Sequence, residues 1–374
     1  MKKILFVFMF AAFYAVSLFA WIPEERANYK FKAMLDTNYA KVLAVAKIDS
    51  LTREPVKDPQ AFVKEIDHLN LTLKSSIFKN RHIKLNNYIT GQPVIDVSVK
   101  KGNKILVWVE ARGDTIDNAY VADYYRMPVI IFLIVIFFGL FFIVSKRHGI
   151  RSLAALTFNV ILIFKFLFPL ILNGGNILVL GIASVTIMSF VTFVFINGFK
   201  TKSLAALVGT IIGTTSAFLI AAWFRILLHL TGLSQSTSRM LQYLKGSLDF
   251  GQLLLLAVII GALGAVMDIA MDLSSALYEI HGSKPDISRR ELIKRGFNIG
   301  QDVLGTMINT LIFAYIGSSL TFILLYYASG MGTINIMNFQ TIAQQYLQAI
   351  VGSIGLVITV PATIFSTVFF FRTK

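Results

Sequence analysis

The sequence predicts an α-helical polytopic membrane bundle of seven spans, preceded by an N-terminal signal-anchor helix and a small extracytoplasmic β-rich, barrel-like domain. Three observations carry that prediction. Seven apolar stretches occupy residues 128–371, each near the ~20 residues a helix needs to cross ~30 Å of hydrocarbon. The polar links between them alternate between basic and nearly uncharged. Residues 23–126 are instead polar, with period-two alternation of apolar side chains.

Taken in order, Met1-Lys2-Lys3 leads into an apolar run over residues 4–22. That run exceeds the 7–15-residue core of a cleaved secretory signal, which favours an uncleaved anchor over residues 1–22; a cleaved signal with Ala15 and Ser17 as its small residues is the alternative. Both place residues 23–126 outside. Residues 94–100 and 105–110 alternate on either side of Lys101-Gly102-Asn103-Lys104, which predicts a β-hairpin. Residues 39–48 and 83–88 predict two further strands, and Arg112-Gly113-Asp114 a turn. Several short strands in a small domain suit a barrel or sandwich, the oligonucleotide-binding type among them. Tyr124, Tyr125 and Arg126 then suit an interfacial anchor where the chain enters the membrane.

The spans are read at residues 128–145, 152–172, 177–196, 203–230, 251–270, 303–328 and 348–371, making 127–374 the membrane domain. The links at 146–151 and 200–202, the segment holding Lys284, Arg289, Arg290, Lys294 and Arg295, and the tail at 372–374 are basic. The links at 173–176 and 330–346 carry no charge, and 232–250 carries only Arg239, Lys245 and Asp249. Basic residues collect in short cytoplasmic loops. The first set is therefore assigned to the cytoplasm, with the C-terminus inside. Ser288 and Glu291 have capping-box spacing, and the short charged helix after them, 289–295, is expected to lie on the membrane surface.

Composition excludes several functions. The net charge is +15, but residues 23–125 hold 16 Lys/Arg against 13 Asp/Glu, so most of the excess lies from Arg126 onward. A topology signal and attraction to anionic lipid account for it, and nucleic acid is not an expected partner. There is no cysteine, and the five histidines are scattered, so no metal site is predicted. No phosphate-cradling Gly-x-x-x-x-Gly-Lys-Ser/Thr loop occurs. No cofactor is predicted.

Ionisable groups inside a span each call for an explanation, since one costs at least ~2.5–3.5 kcal/mol at the helix centre. Lys165 and Arg225 have stems long enough to reach the outer interface. An aspartate is too short for that, which singles out Asp268 near the inner end of the fifth span and Asp302 just before the start of the sixth. Asp272 lies one turn from Asp268. Around Asp302, the residues Asn298, Asp302, Gly305 and Asn309 follow i, i+4, i+7, i+11 and make one face, to which Thr306 adds a hydroxyl. Asp268, Asp302, Asn298, Thr306 and Asn309 form the candidate cation, proton or substrate site. The two carboxylates are expected within reach of one another, or of one shared water or cation, at the cytoplasmic ends of their helices.

The run Gly261-Ala262-Leu263-Gly264-Ala265-Val266-Met267-Asp268-Ile269-Ala270, with the segment from Asn298 to Gly317, resembles the YibE/F-like family of bacterial membrane proteins. The likeness extends to Ala122–Arg126 and to Leu228–Leu233, while Asp272 and Gln301 depart from the family pattern. The resemblance implies a multi-pass membrane protein and brings no substrate or reaction with it. From the residues, the expected function is a permease or ion-coupled transporter of a small solute or ion. The alternative is a non-catalytic scaffold or assembly factor whose outer domain binds a partner. In either case the chain would sit in the lipid bilayer, with homo- or hetero-oligomers forming through the spans or the outer domain. It is not expected to be an enzyme: an intramembrane aspartyl protease would use paired aspartates, and the Gly-x-Gly-Asp signature of such proteases is absent.

Overall fold

The computed structural model describes residues 39–371, apart from 59, 60, 93, 235, 245 and 247. The expected anchor at 1–22, the start of the outer domain and the tail at 372–374 lie outside the described residues. The chain forms two compact units, Met1–Ser145 and Lys146–Lys374.

In the first unit five strands, β1 (Tyr39–Pro55), β2 (Glu65–Leu73), β3 (His82–Ile89), β4 (Lys104–Arg112) and β5 (Thr115–Tyr124), form one antiparallel sheet in the order β3-β2-β1-β4-β5. Strands β3 and β5 approach each other, so the sheet curls into a nearly closed barrel. The architecture is that of a five-stranded, partly open Greek-key barrel. Its core alternates as a half-buried sheet should: Ala44, Ala46 and Ile48 on β1 meet Leu69, Leu71 and Leu73 on β2 and Ile105, Val107 and Val109 on β4. A bulge between Ile48 and Ser50 then shifts the parity of β1. Arg53 is thereby set opposite Asp67, whose side chain continues the inward series of β2.

The expected hairpin between 94–100 and 105–110 does not form. Strand β4 pairs with β1 and β5 instead, and residues 96–100 are not in a strand. The alternation there has another cause: Val99 is fully buried in the barrel core and Val97 packs against it. Arg53 donates to the Val99 carbonyl (2.8 Å) and Asn87 to the Val97 carbonyl (2.9 Å), holding the segment in place. The hairpin in this region is β4–β5, whose turn holds Gly113 at φ +58°, in the left-handed region that favours glycine. Strands at 39–48 and 83–88 are present as expected.

Among the described residues, seven helical stretches are long and apolar enough to cross a membrane: Met127–Ser145, Gly149–Leu172, Ile177–Asn197, Thr201–Leu227, Phe250–Ser283, Arg289–Ala328 and Gln340–Phe370. The helices are α1 (Met127–Ile161), a π-helical turn (Leu162–Leu167), α2 (Phe168–Leu172), α3 (Ile177–Asn197), α4 (Thr201–Leu227), α5 (Ser236–Leu244), α6 (Phe250–Ser283), α7 (Arg289–Ala328), α8 (Thr333–Asn338) and α9 (Gln340–Phe370).

Two sequence expectations change here. Residues 146–151, expected as a loop, are helical within α1; Gly149 is their only helix breaker, and Lys and Arg are good helix formers. The charged helix expected on the membrane surface at 289–295 is instead the first two turns of α7. Ser288 caps that helix by accepting from the Glu291 N–H (3.2 Å), and Arg295 pairs with Glu291 at 2.7 Å. The apolar face runs on unbroken, with Leu292, Gly296 and Gly300 buried, so packing carries the helix through its charged turns.

The second unit is assembled around α9, which packs against α4, α6 and α7. The closest approach is between α4 and α9. On α4, Ala205, Gly209, Gly213, Ala217 and Ala221 recur every fourth residue, all buried. Thr363 of α9 stands against Gly209, and Thr359 against Gly213. Small residues let helix backbones approach closely where lipid supplies no hydrophobic drive. The two ends of the bundle differ chemically. At one end His281 stacks on Phe371 with 4.3 Å between ring centroids, and Lys202 lies over Tyr278. At the other, Gln340 donates to Thr231 (2.6 Å), Ser234 to Gln344, and Arg225 lies 3.9 Å from Asp249.

Candidate functional site

Asp268 lies on α6, a helix whose buried face is Val258, Ala262, Val266, Ile269, Leu273 and Leu277. Because 3.6 residues make a turn, the opposite face carries Gly261, Gly264, Asp268 and Asp272. All four are exposed in the isolated chain. The Tyr315 hydroxyl of α7 sits over Gly261, while a methyl group at Gly264 would meet nothing. The α6 stripe therefore borders α7 at one end and is open further along.

Helix α7 repeats the pattern. Its buried face, with Gly296, Gly300 and Leu311, packs on α6 and α9: Gly296 lies against Ile364, and Gly300 against Val360 and Leu273. Asn298, Gln301, Asp302, Gly305, Thr306, Asn309 and Thr310 are all exposed. The Thr306 hydroxyl donates to the Val303 carbonyl (2.8 Å) and the Thr310 hydroxyl to the Thr306 carbonyl (2.9 Å), so both are engaged by their own helix. The antiparallel α6–α7 pair, joined by a short turn after Ser283, carries all five candidate residues.

Among the described residues, no hydrogen bond or ion pair joins Asp268 to Asp302, or either of them to Asn298, Thr306 or Asn309. No group of three His, Cys, Asp or Glu side chains suited to a metal is present there either. The arrangement offers carboxylate acceptors, amides that both donate and accept, and open backbone at two glycines. Such groups can take up a proton, coordinate a hydrated cation or bind a polar solute.

Three features of the membrane unit were not read from the sequence. The first is the π-helical turn that holds Lys165, whose cause is local. Pro169 has no N–H for the Lys165 carbonyl four residues back, and the Phe168 N–H bonds instead to Ile163, five back. The Pro169 signal was available; the wider turn was not. Asn159 donates to Thr192 across helices (2.9 Å). The third feature is the seam of buried threonines on α9, Thr359, Thr363 and Thr367, facing α4.

Comparison with known proteins gives one family: the model described as YibE/F-like protein matches residues 133–373. The match takes in the seventh helix and begins after Ala122–Arg126. No curated protein and no solved structure matches the chain.

Proposed function

Since the chain belongs to the YibE/F-like family and is a multi-pass membrane protein, we propose that it is a permease or ion-coupled transporter of a small solute or ion, with Asp268 and Asp302 carrying the coupled proton or cation. One observation supports this above the others. Two aspartates and a run of amides and hydroxyls lie within apolar helices, where each ionised group must be hydrated, paired or neutralised. Water reaching that face would meet two acids, with Asn298, Thr306 and Asn309 alongside. Hydrolytic chemistry is not proposed, since among the described residues no hydrogen bond joins the two aspartates as a proton-sharing dyad requires.

The proposed setting is the bacterial cytoplasmic membrane, with the barrel outside and the basic end of the bundle inside. It follows the distribution of lysine and arginine, and the segregated ends of the bundle support it. This topology requires the chain to reverse direction at residues 146–151.

The test is uptake and efflux in proteoliposomes over a panel of ions and small solutes, comparing the natural chain with Asp268→Asn. Flux should be lost in the variant while insertion and thermal stability remain unchanged. Full flux in Asp268→Asn would remove the role given to this residue. A scaffold or assembly role is the second reading. It is favoured by the exposure of the same residues on the outside of the bundle, and it predicts that Asp268→Asn is silent and that no solute moves.

A further inference from the structure

Helix α7 has inverted polarity. Its covered side is apolar or small, and its uncovered side is the most polar stretch of any span. At 100° per residue, Asn298, Asp302, Gly305 and Asn309 fall within about 60° of one another, over about 16 Å of helix. The adjoining stripe on α6 is also uncovered at Gly264, Asp268 and Asp272. Hydrocarbon supplies no hydrogen bonds, so such a face is stable only against protein or water.

Two of the chain's other apolar stretches have little to offer it: residues 127–145 contain no polar side chain before Ser145, and residues 4–22 offer only Tyr14, Ser17 and Trp21. The stripe, however, is its own complement. Asn298, Gln301 and Asn309 each donate and accept, Asp302 accepts, and Asn298 and Thr306 flank Asp302 by one turn on either side. A two-fold axis along the membrane normal sets each residue near its own copy, so amides meet amides and each carboxylate lies within a turn of the other copy's donors. Gly305 stands mid-stripe, and a methyl group there would meet nothing within this chain. Small residues of this kind let two backbones approach.

We propose that a second copy of this chain covers the polar face of α7, so that the Asp268 and Asp302 region is enclosed at a two-fold interface. The proposal rests on the uncovered face and not on transport. A dimer without flux leaves it standing, and flux by a monomer overturns it while leaving the transport reading intact.

The absence of cysteine makes the test direct. Gly305→Cys and Asn309→Cys are introduced singly, with Leu219→Cys on the exposed side of α4 as control, and membranes are oxidised before extraction. A disulfide requires Cα atoms within about 7 Å. The expected result is a product of twice the chain's mass at 305 or 309 and none at 219. In parallel, the unsubstituted chain extracted with its surrounding lipid should have twice the monomer mass. Three outcomes would overturn the proposal: monomer mass with no product at 305 or 309, equal product at 219, or linkage to a different protein.

Discussion

Asp67 has no solvent exposure inside the barrel, and neither of its carboxylate oxygens accepts a hydrogen bond. Arg53 stands 3.1 Å away across the β1–β2 ladder, so attraction between charges offsets part of the cost of burial. Burial pushes the Asp67 carboxyl above its ordinary range, against the opposing pull of Arg53. The folded chain therefore holds this proton to a higher pH than the unfolded chain does. The group's contribution is fully present below the unfolded value near ~3.9 and is lost as pH rises through the raised folded value. Asp123 works the other way: the hydrogen bond from Arg126 holds it low, and its contribution is lost as pH falls. Arg53→Ala strands the buried carboxylate and should destabilise the barrel by about 2 kcal/mol at neutral pH. Asp67→Asn should flatten the rise in stability expected from this proton on mild acidification. Hydrogen exchange of the β2 amides in the intact chain, corrected for intrinsic rates, reads both. An Arg53→Ala barrel as protected as the natural one would show that the pair contributes nothing.

At the scale of the element, the α4–α9 seam has little tolerance for a larger side chain. A methyl group at Gly213 would collide with the Thr359 hydroxyl and come within 3.1 Å of the Gly355 carbonyl, which is backbone and cannot rotate away. Gly213→Leu should therefore cost about 3 kcal/mol by overpacking, with α9 pushed off α4. Leu219→Ala, on the exposed side of the same helix, should stay within about 0.5 kcal/mol. Thermal unfolding of both variants in one detergent compares them. Equal stability would mean that α4 and α9 do not pack through this seam. The every-fourth-residue series from Ala205 to Ala221 is plain in the sequence, but its partner is not. Only the packing shows that Thr359 and Thr363 face these glycines, since a threonine's identity does not fix its face: Thr306 and Thr310 on α7 are exposed.

At the scale of the whole molecule, the prediction concerns sidedness. Single cysteines at position 103, in the β3–β4 connection, and at position 290, in the first turn of α7, should differ toward an impermeant thiol reagent. In intact cells Asn103→Cys should label and Arg290→Cys should not, until the membrane is opened. The reverse pattern would overturn the assignment of the basic end to the cytoplasm. The same labelling at His148→Cys and Asn176→Cys, on opposite sides of the second span, tests whether the chain reverses at residues 146–151.

The span count was legible from the sequence because a bilayer imposes a length and an apolar composition that no loop of this chain imitates. The family could be read from the residues around Asp268 and Asp302, and three of the four expected strand positions were right. Strand pairing was not legible: residues 94–100 alternate because Val97 and Val99 close the barrel core, and period-two alternation looks the same whether a segment lies in a ladder or against one. The start of α7 was missed for a related reason, since charge suggested a surface helix while the buried face of Leu292, Gly296 and Gly300 continued through it. For the candidate site, the sequence supplied the residues and their shared helical faces, which follow from spacing alone. Which way those faces turn was decided by tertiary structure. Asp268 and Asp302 lie outward because the apolar face of α6 is taken up by α4 and α9 and that of α7 by α6 and α9, and helical period ranks faces relative to one another without saying which neighbour covers each.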